Sequence, residues 1–353
     1  MKHIVILVLL AVFFSCEKKQ RFKIRNFSSV QIETLLQDSL LNVRALEVYD
    51  ESLVYFATST GRIGVISTNQ DVLAYKNLIQ LGHDTIVPNF RCLAGNLNNG
   101  FTMSIASPAL LFKFGELEDE VVYKEDHPKA FYDSMDFWNE EEGIVIGDPI
   151  DGCMSIIITR DGGDTWTKSP CADLPKAKEG EAAFAASDSN IAIVGNHTWV
   201  ATGGKVSRVL YSADKGHTWE VYNTPIVQGL ETTGIYSIDF YDELNGFAIG
   251  GDYTKPDNNI DNKIRTDDGG KTWQLVAQNK NPGYRSCVQY IPNRAGKELV
   301  TVGFKGIDYS NDSGDTWKHL SDEGFYTIRF LNDSVAYAAG AGRVSKVLFI
   351  KYK

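Results

Sequence analysis

The chain is poor in the features that mark cofactor chemistry. Its 353 residues include 5 cysteines, and none forms a CxxC pair or a Cys/His spacing that would hold zinc. No GxGxxG opens a helix, and flavin, haem and metal-cluster signatures are missing, so neither a cofactor nor a metal is expected. Pro/Ser linkers, charge blocks and low-complexity tracts are also lacking, which leaves no sign of a domain boundary. Basic charge is scarce: 35 Lys and Arg stand against 45 Asp and Glu, a formal net charge of −10. An acidic body of this kind argues against non-specific nucleic-acid binding. The apolar run Ile4–Phe14 is too short to cross a bilayer as a helix, and with Lys2 and His3 before it reads as the core of a secretory signal.

What the chain has instead is one short stretch written four times. The copies begin at Thr159, Ser212, Thr266 and Ser310 and end at Trp166, Trp219, Trp273 and Trp317, with the pattern Ser/Thr-x-Asp-x-Gly-x-Thr-Trp. The Asp (161, 214, 268, 312) is suited to fold its carboxylate onto nearby backbone amides. The Gly supplies positive φ for a tight reversal, and Thr-Trp begins a strand. The indole is expected to pack against the neighbouring unit with its N–H near the loop. These stretches resemble the Asp-box, or bacterial neuraminidase repeat, which joins the third and fourth strands of a β-propeller blade. Recurrence at this period marks a repeat array, and the boxes themselves read as turn staples rather than a site.

Strand patterns broken by turns recur along the rest of the chain. Units one and two, over residues 43–76 and 90–124, keep a four-strand rhythm without a box. Units three to six each carry one, unit four being read as Ala182–Ser187, Ile191–Gly195 and Val206–Ser212 before its box. Unit seven stops after three strands, and Ser28–Leu36 is a strand without a unit. The expectation is therefore an all-β, seven-bladed β-propeller of four-stranded blades, closed by an N-terminal strand in the last blade. Units one and two rest on rhythm alone, which leaves six or eight blades as alternatives. The domain plan is a signal peptide over 1–15, a tether over 16–27 and a single propeller over 28–353.

Phe14-Ser15-Cys16 resembles a bacterial lipoprotein cleavage site, which implies that Cys16 is lipidated and Glu17–Arg21 form a polar tether. The implied location is the cell envelope, lipid-anchored on the periplasmic or surface side of a membrane. Export permits a disulfide, and Cys153 and Cys171 flank one box; the alternative for a Cys in a strand is a small buried hydrophobe.

The resemblance to propellers with this repeat implies that the chemically loaded loops fall on the face opposite the boxes. They are Gly147–Gly152 with Asp148 and Asp151, the entry loop with Glu179 and Glu181, Gly195–Trp199, Gly250–Asp257 with Asp252 and Tyr253, and Pro282–Ser286 with Tyr284 and Arg285. A binding rim built from Asp148, Asp151, Glu181, Asp252, Tyr253, Tyr284 and Arg285 is expected there, because function favours loops on a rigid scaffold. Arg44, Arg91, Arg285 and Arg329 recur at inner-strand positions, with Arg62 and Arg343 on inter-strand loops, and could line the axial mouth.

The stretches Gly147-Asp148-Pro149, Gly180–Ser187, Gly250–Tyr253 and Gly283–Ser286 resemble exported bacterial proteins akin to the photosystem II stability/assembly factor. That resemblance implies a binding or assembly module for a protein or glycan partner, without catalysis. A sialidase-like glycoside hydrolase is the alternative, with Arg44, Arg91 and Arg285 for a carboxylate, Tyr284 or Tyr253 beside Glu181, and Asp148 or Asp151 as acid/base.

Overall fold

A computed structural model describes residues 23–49, 53–67, 76–115 and 119–351. The signal segment, Cys16 and the tether as far as residue 22 lie outside the described residues, as does the stretch 72–75 expected in unit one. Among the described residues all strand pairs are antiparallel, and the helical content is one 3-10 turn, Cys171–Asp173.

The inner strands are rich in Val, Ile, Phe and Tyr and several are buried on both faces, as in Gly246–Asp252 and Leu299–Gly303. The strands form six sheets. Four of them are plain four-stranded meanders, beginning at Phe90, Tyr132, Ile191 and Cys287. A six-stranded sheet runs from Thr233 to Leu275, with Glu181–Ala182 and Gly203–Gly204 added at its edge. The seven-stranded sheet holds Thr327–Phe330, Val335–Ala339 and Ala341–Lys351, then the long strand Phe27–Val48, then Leu53–Thr58, Arg62–Ser67 and Lys76–Gln80. In it Ser29 pairs with Ile350 and Leu36 with Val344, while Val48, at the other end of the same strand, pairs with Val54. The innermost strands touch in succession, from Phe27–Val48 through each sheet in turn to Thr327–Phe330, which touches Phe27–Val48 again.

The core lies between adjacent sheets. Phe101 and Met103 of one pack with Tyr132, Met135, Val145, Ile157 and Trp166 of the next. Between the sheets that hold Ile191–Val194 and Thr233–Phe240, Trp199 stacks on Phe240 with centroids 3.7 Å apart, and its indole N–H donates to the Gly269 carbonyl. Cys153 and Cys171 form a disulfide, and Cys92 and Cys287 are buried free thiols.

Each of the four boxes closes in the same way. Asp268 Oδ1 accepts the Thr272 amide at 2.9 Å and Oδ2 the Thr272 hydroxyl at 2.7 Å. The Thr266 hydroxyl donates to Asp268 Oδ1 and accepts the Gly270 amide, while Trp273 donates its indole N–H to the Gly270 carbonyl. The bonds around Asp161, Asp214 and Asp312 repeat these. Burial pushes the four carboxyls up, but the Thr donors outweigh it and hold them below the usual range. Gly163 and Gly314 must be glycine on two counts. Both have positive φ, and a Cβ would strike Phe101 or Phe247 of the preceding unit.

The turns between first and second strands lie at the box end. Asn96 donates to the Gly162 carbonyl, Lys215 to the Asn196 carbonyl and Gly269 to the Leu244 carbonyl. This placement corrects the expectation for unit four. Its innermost strand is Ile191–Val194 and its second is His197–Ala201, so Gly195–Trp199 belongs to the box face, not to the opposite one. The residues expected as its first strand, beyond the short pair Glu181–Ala182, leave the sheet and cross the axis.

Candidate binding face

The segment Ala183–Asn190 fills the centre of the molecule. Apart from Phe184 its residues are small or polar, so it can thread between inner strands and bond to them. Asp188 accepts the amides of Leu93 and Met135. Asn190 meets Ser134, Ser189 donates to Ser237, and Ser187 donates to the Ser286 carbonyl. Arg44 donates to the Ala186 carbonyl, and Arg329 to that of Asp188. A buried loop must satisfy its polar groups, and here every neighbouring unit supplies a partner.

The seven expected rim residues divide into three pairs and one residue, Asp151, that stands apart. Glu181 and Arg285 are buried and committed to ion pairs. Glu181 takes Arg208 at 2.6 Å plus the Thr202 hydroxyl and the Lys178 amide. Arg285 takes Asp308 at 2.6 Å and the Tyr284 carbonyl. Neither has charge to spare for a partner. Asp148 and Asp252 shape loops. Asp148 accepts the Ala183 amide at 2.7 Å and so anchors the axial segment; burial raises its carboxyl to about 6 despite that bond. Asp252 is buried, which pushes its carboxyl up, yet the hydroxyl and amide of Thr254 outweigh this and hold it low. Asp151 is exposed at φ 56° in a turn.

Tyr253 and Tyr284, the third pair, belong to an aromatic run whose other members the sequence did not single out. Phe184 stacks on Tyr236 at 3.9 Å. Tyr236 meets Tyr284 edge-on at 4.8 Å, and Tyr284 packs on Phe304 at 5.5 Å. Tyr253 stands edge-on to both Tyr236 and Tyr284. Tyr284 is buried, whereas Tyr253 is 49% exposed and Phe304 43%. Phe304 also borders a cavity of about 450 Å³ with Gln37, Ser39, Tyr326, Gly342 and Arg343. Phe184 lies inside a stretch already notable for its family likeness; Phe304 had no local signal.

The arginines do not converge on one ligand. Arg44 lies over the Tyr326 ring at 4.2 Å and Arg343 over Phe325 at 4.3 Å. Arg91 is depressed to about 10 by burial and by the nearby Arg44 charge. Arg329 pairs with Glu47 at 3.1 Å, at a second cavity of about 470 Å³ that also meets Asp239, Gln289 and Tyr290. That cavity opens at the box end of the axis. With Glu181 and Arg285 spent internally, the carboxylate clamp and the Tyr–Glu pair of a sialidase are not assembled. No group of His, Cys, Asp and Glu among the described residues is arranged to hold a metal ion.

Comparison with known proteins fits this architecture. The BNR/Asp-box repeat family matches residues 264–275, which span the third box. The chain is similar to a solved structure of YCF48, a photosystem II assembly factor, bound to D1 peptide. Identity is 13% and the TM-score 0.62, over 94% of this chain and 100% of that one. The fold is a β-propeller. The WD40 repeats of RRP9 are similar at 12% identity and TM-score 0.61, covering 93% of this propeller and 99% of that chain. The WD40 β-propeller domain of Doa1 follows at 10% and 0.61, over 91% and 97%. At such identities the likeness is one of fold. No curated protein matches the propeller in sequence.

Proposed function

We propose that this is an exported, non-enzymatic propeller that binds a segment of a partner protein on its loop-rich face. The observation that carries the reading is the aromatic run Phe184–Tyr236–Tyr284–Phe304, topped by the exposed Tyr253 and bordered by a cavity. Rigid aromatic side chains give large contact area at low entropic cost, which suits a binding surface. The YCF48 structure, with D1 peptide bound, supports a protein partner over the glycan that the same aromatic faces could also stack. The closed form proposed is one domain over 28–353 with seven blades, in which the seven-stranded sheet is two blades sharing the strand Phe27–Val48. Support comes from the pairing of Ser29–Gln37 with Arg343–Ile350 and from the circuit of inner-strand contacts. Lipidation at Cys16 would hold this domain to a membrane of the cell envelope.

A photo-crosslinking amino acid at Tyr253, compared with one at Lys215 on the box face, tests the reading in native membranes. The expected result is one protein partner trapped from position 253, lost when Phe304→Ala is added. Equal trapping from both positions, or adducts to glycan alone, would refute it.

A further inference from the structure

The described chain starts in a clamp on the box face. Glu298, fully buried, accepts Arg25 through Nε at 2.8 Å and Nη2 at 2.6 Å, and Arg294 closes on its other oxygen at 2.8 Å. Arg294 also holds the Lys23 carbonyl at 2.6 Å. Tyr309 and Asn311, the latter inside the fourth box, donate to the Arg25 carbonyl. Arg25 further reaches Asp333 at 2.9 Å. Seven bonds of this kind fix where the chain leaves the domain, and they leave no slack for Lys23 to swing to the opposite face.

Cys16 lies seven positions before Lys23. An extended chain covers at most about 3.5 Å per residue, so its reach is about 25 Å. A compact domain of this length has a radius of gyration of about 20 Å, hence a diameter near 50 Å. The tether is therefore too short to let the far face turn toward the site of attachment.

Turns of that same face carry apolar side chains. Leu97 is 70% exposed and Leu244 57%, and Ile24 and Tyr49 are exposed as well. Tyr49 is tied to the Leu97 carbonyl through its hydroxyl. Single exposed leucines are ordinary on a protein surface. Their position on turns of one face, together with a tyrosine of the kind that sits at the headgroup level, is what a lipid surface accepts. The body is acidic, so attraction to anionic lipid is not the cause; the tether and the turns are.

We propose that the Asp-box face rests against the lipid surface and that the face with Tyr253 and Phe304 points away from it. The inference rests on the lipid anchor at Cys16. The four boxes then act as a base plate, and the binding face is presented to partners at the full height of the domain.

The test uses the full lipidated chain in vesicles of phosphatidylethanolamine and phosphatidylglycerol. A fluorophore is attached at Leu97→Cys or Leu244→Cys on one face, and at Leu40→Cys or Tyr253→Cys on the other. Labelling is selective because Cys92 and Cys287 are buried and Cys153 is bonded to Cys171. Quenching by headgroup nitroxide lipid is expected to be several-fold stronger at 97 and 244 than at 40 and 253. Inserting a long Gly/Ser stretch after Gln20 should narrow that difference. Vesicle-bound protein with equal or reversed quenching overturns the orientation and spares the anchor. Wild-type protein that fails to float with vesicles, as Cys16→Ser is expected to fail, overturns the anchor and the orientation together.

Discussion

The two faces of this propeller are built by opposite strategies. On the box face, four turns repeat one set of bonds, all closed within eight residues, as between Thr266 and Trp273. On the loop-rich face the buried charges find partners in more distant sequence: Glu181 with Arg208, Arg285 with Asp308, Arg44 with the Ala186 carbonyl. Repetition makes the first face robust and cheap to encode. Unique pairing makes the second face specific and makes each of its residues harder to replace.

The contrast predicts unequal costs. Glu181→Ala strands the Arg208 guanidinium in the interior and should cost about 3–5 kcal/mol in urea unfolding. Asp268→Ala on the box face removes a carboxylate that staples two groups of one surface turn, and should cost about 1–2 kcal/mol. Equal losses would erase the distinction. Because boxes sit far apart, Asp161→Ala should add its own similar loss to that of Asp268→Ala.

Acid titration separates the Asp-box carboxyls from Asp148 by sign. The Asp-box carboxyls are held low, so their contribution is present above about pH 4 and lost as pH falls through their depressed values. Asp148 is raised to about 6, so its protonated form favours folding; that contribution is present below about pH 4 and lost as pH rises through about 6. Burial raises Asp136 and Asp239, on the axis, to about 7, extending the same loss upward. Melting temperature against pH should therefore fall less steeply between pH 4 and 6 in Asp148→Asn, whose amide oxygen can still accept Ala183. An unchanged slope would remove Asp148 from the account. The smallest effect on stability is expected at Tyr253→Ala, within about 0.5 kcal/mol, since the side chain is half exposed. Partner capture should nonetheless drop in that variant; capture that persists would separate the aromatic run from binding.

Legibility in the sequence followed the same division. The boxes announced their turns, strand order and fold, because every partner lies within eight residues of its own motif. The disulfide was visible as an alternative for the same reason: Cys153 and Cys171 bracket one hairpin. Unit four was misread because Ala183–Asn190 has the small residues of a strand, and only the surrounding inner strands show that it crosses the axis. Glu181 and Arg285 looked like ligands since charge in a loop suggests exposure; Arg208 and Asp308, which neutralise them, sit 27 and 23 positions away. Phe304 joins the binding face through a contact with Tyr284 that no periodicity encodes.

The pairing of Phe27–Gln37 with Arg343–Lys351 carries a consequence in time. The first strand to emerge during synthesis must wait for a partner roughly 300 residues downstream. At about 5–20 residues per second, that interval is on the order of 15–60 s. Throughout it, one flank of the nascent chain offers open backbone amides and carbonyls to any other extended polypeptide nearby. A chain with this seam therefore has its most vulnerable moment before its last strand is delivered, and chaperones that shield extended segments are where its yield would be decided.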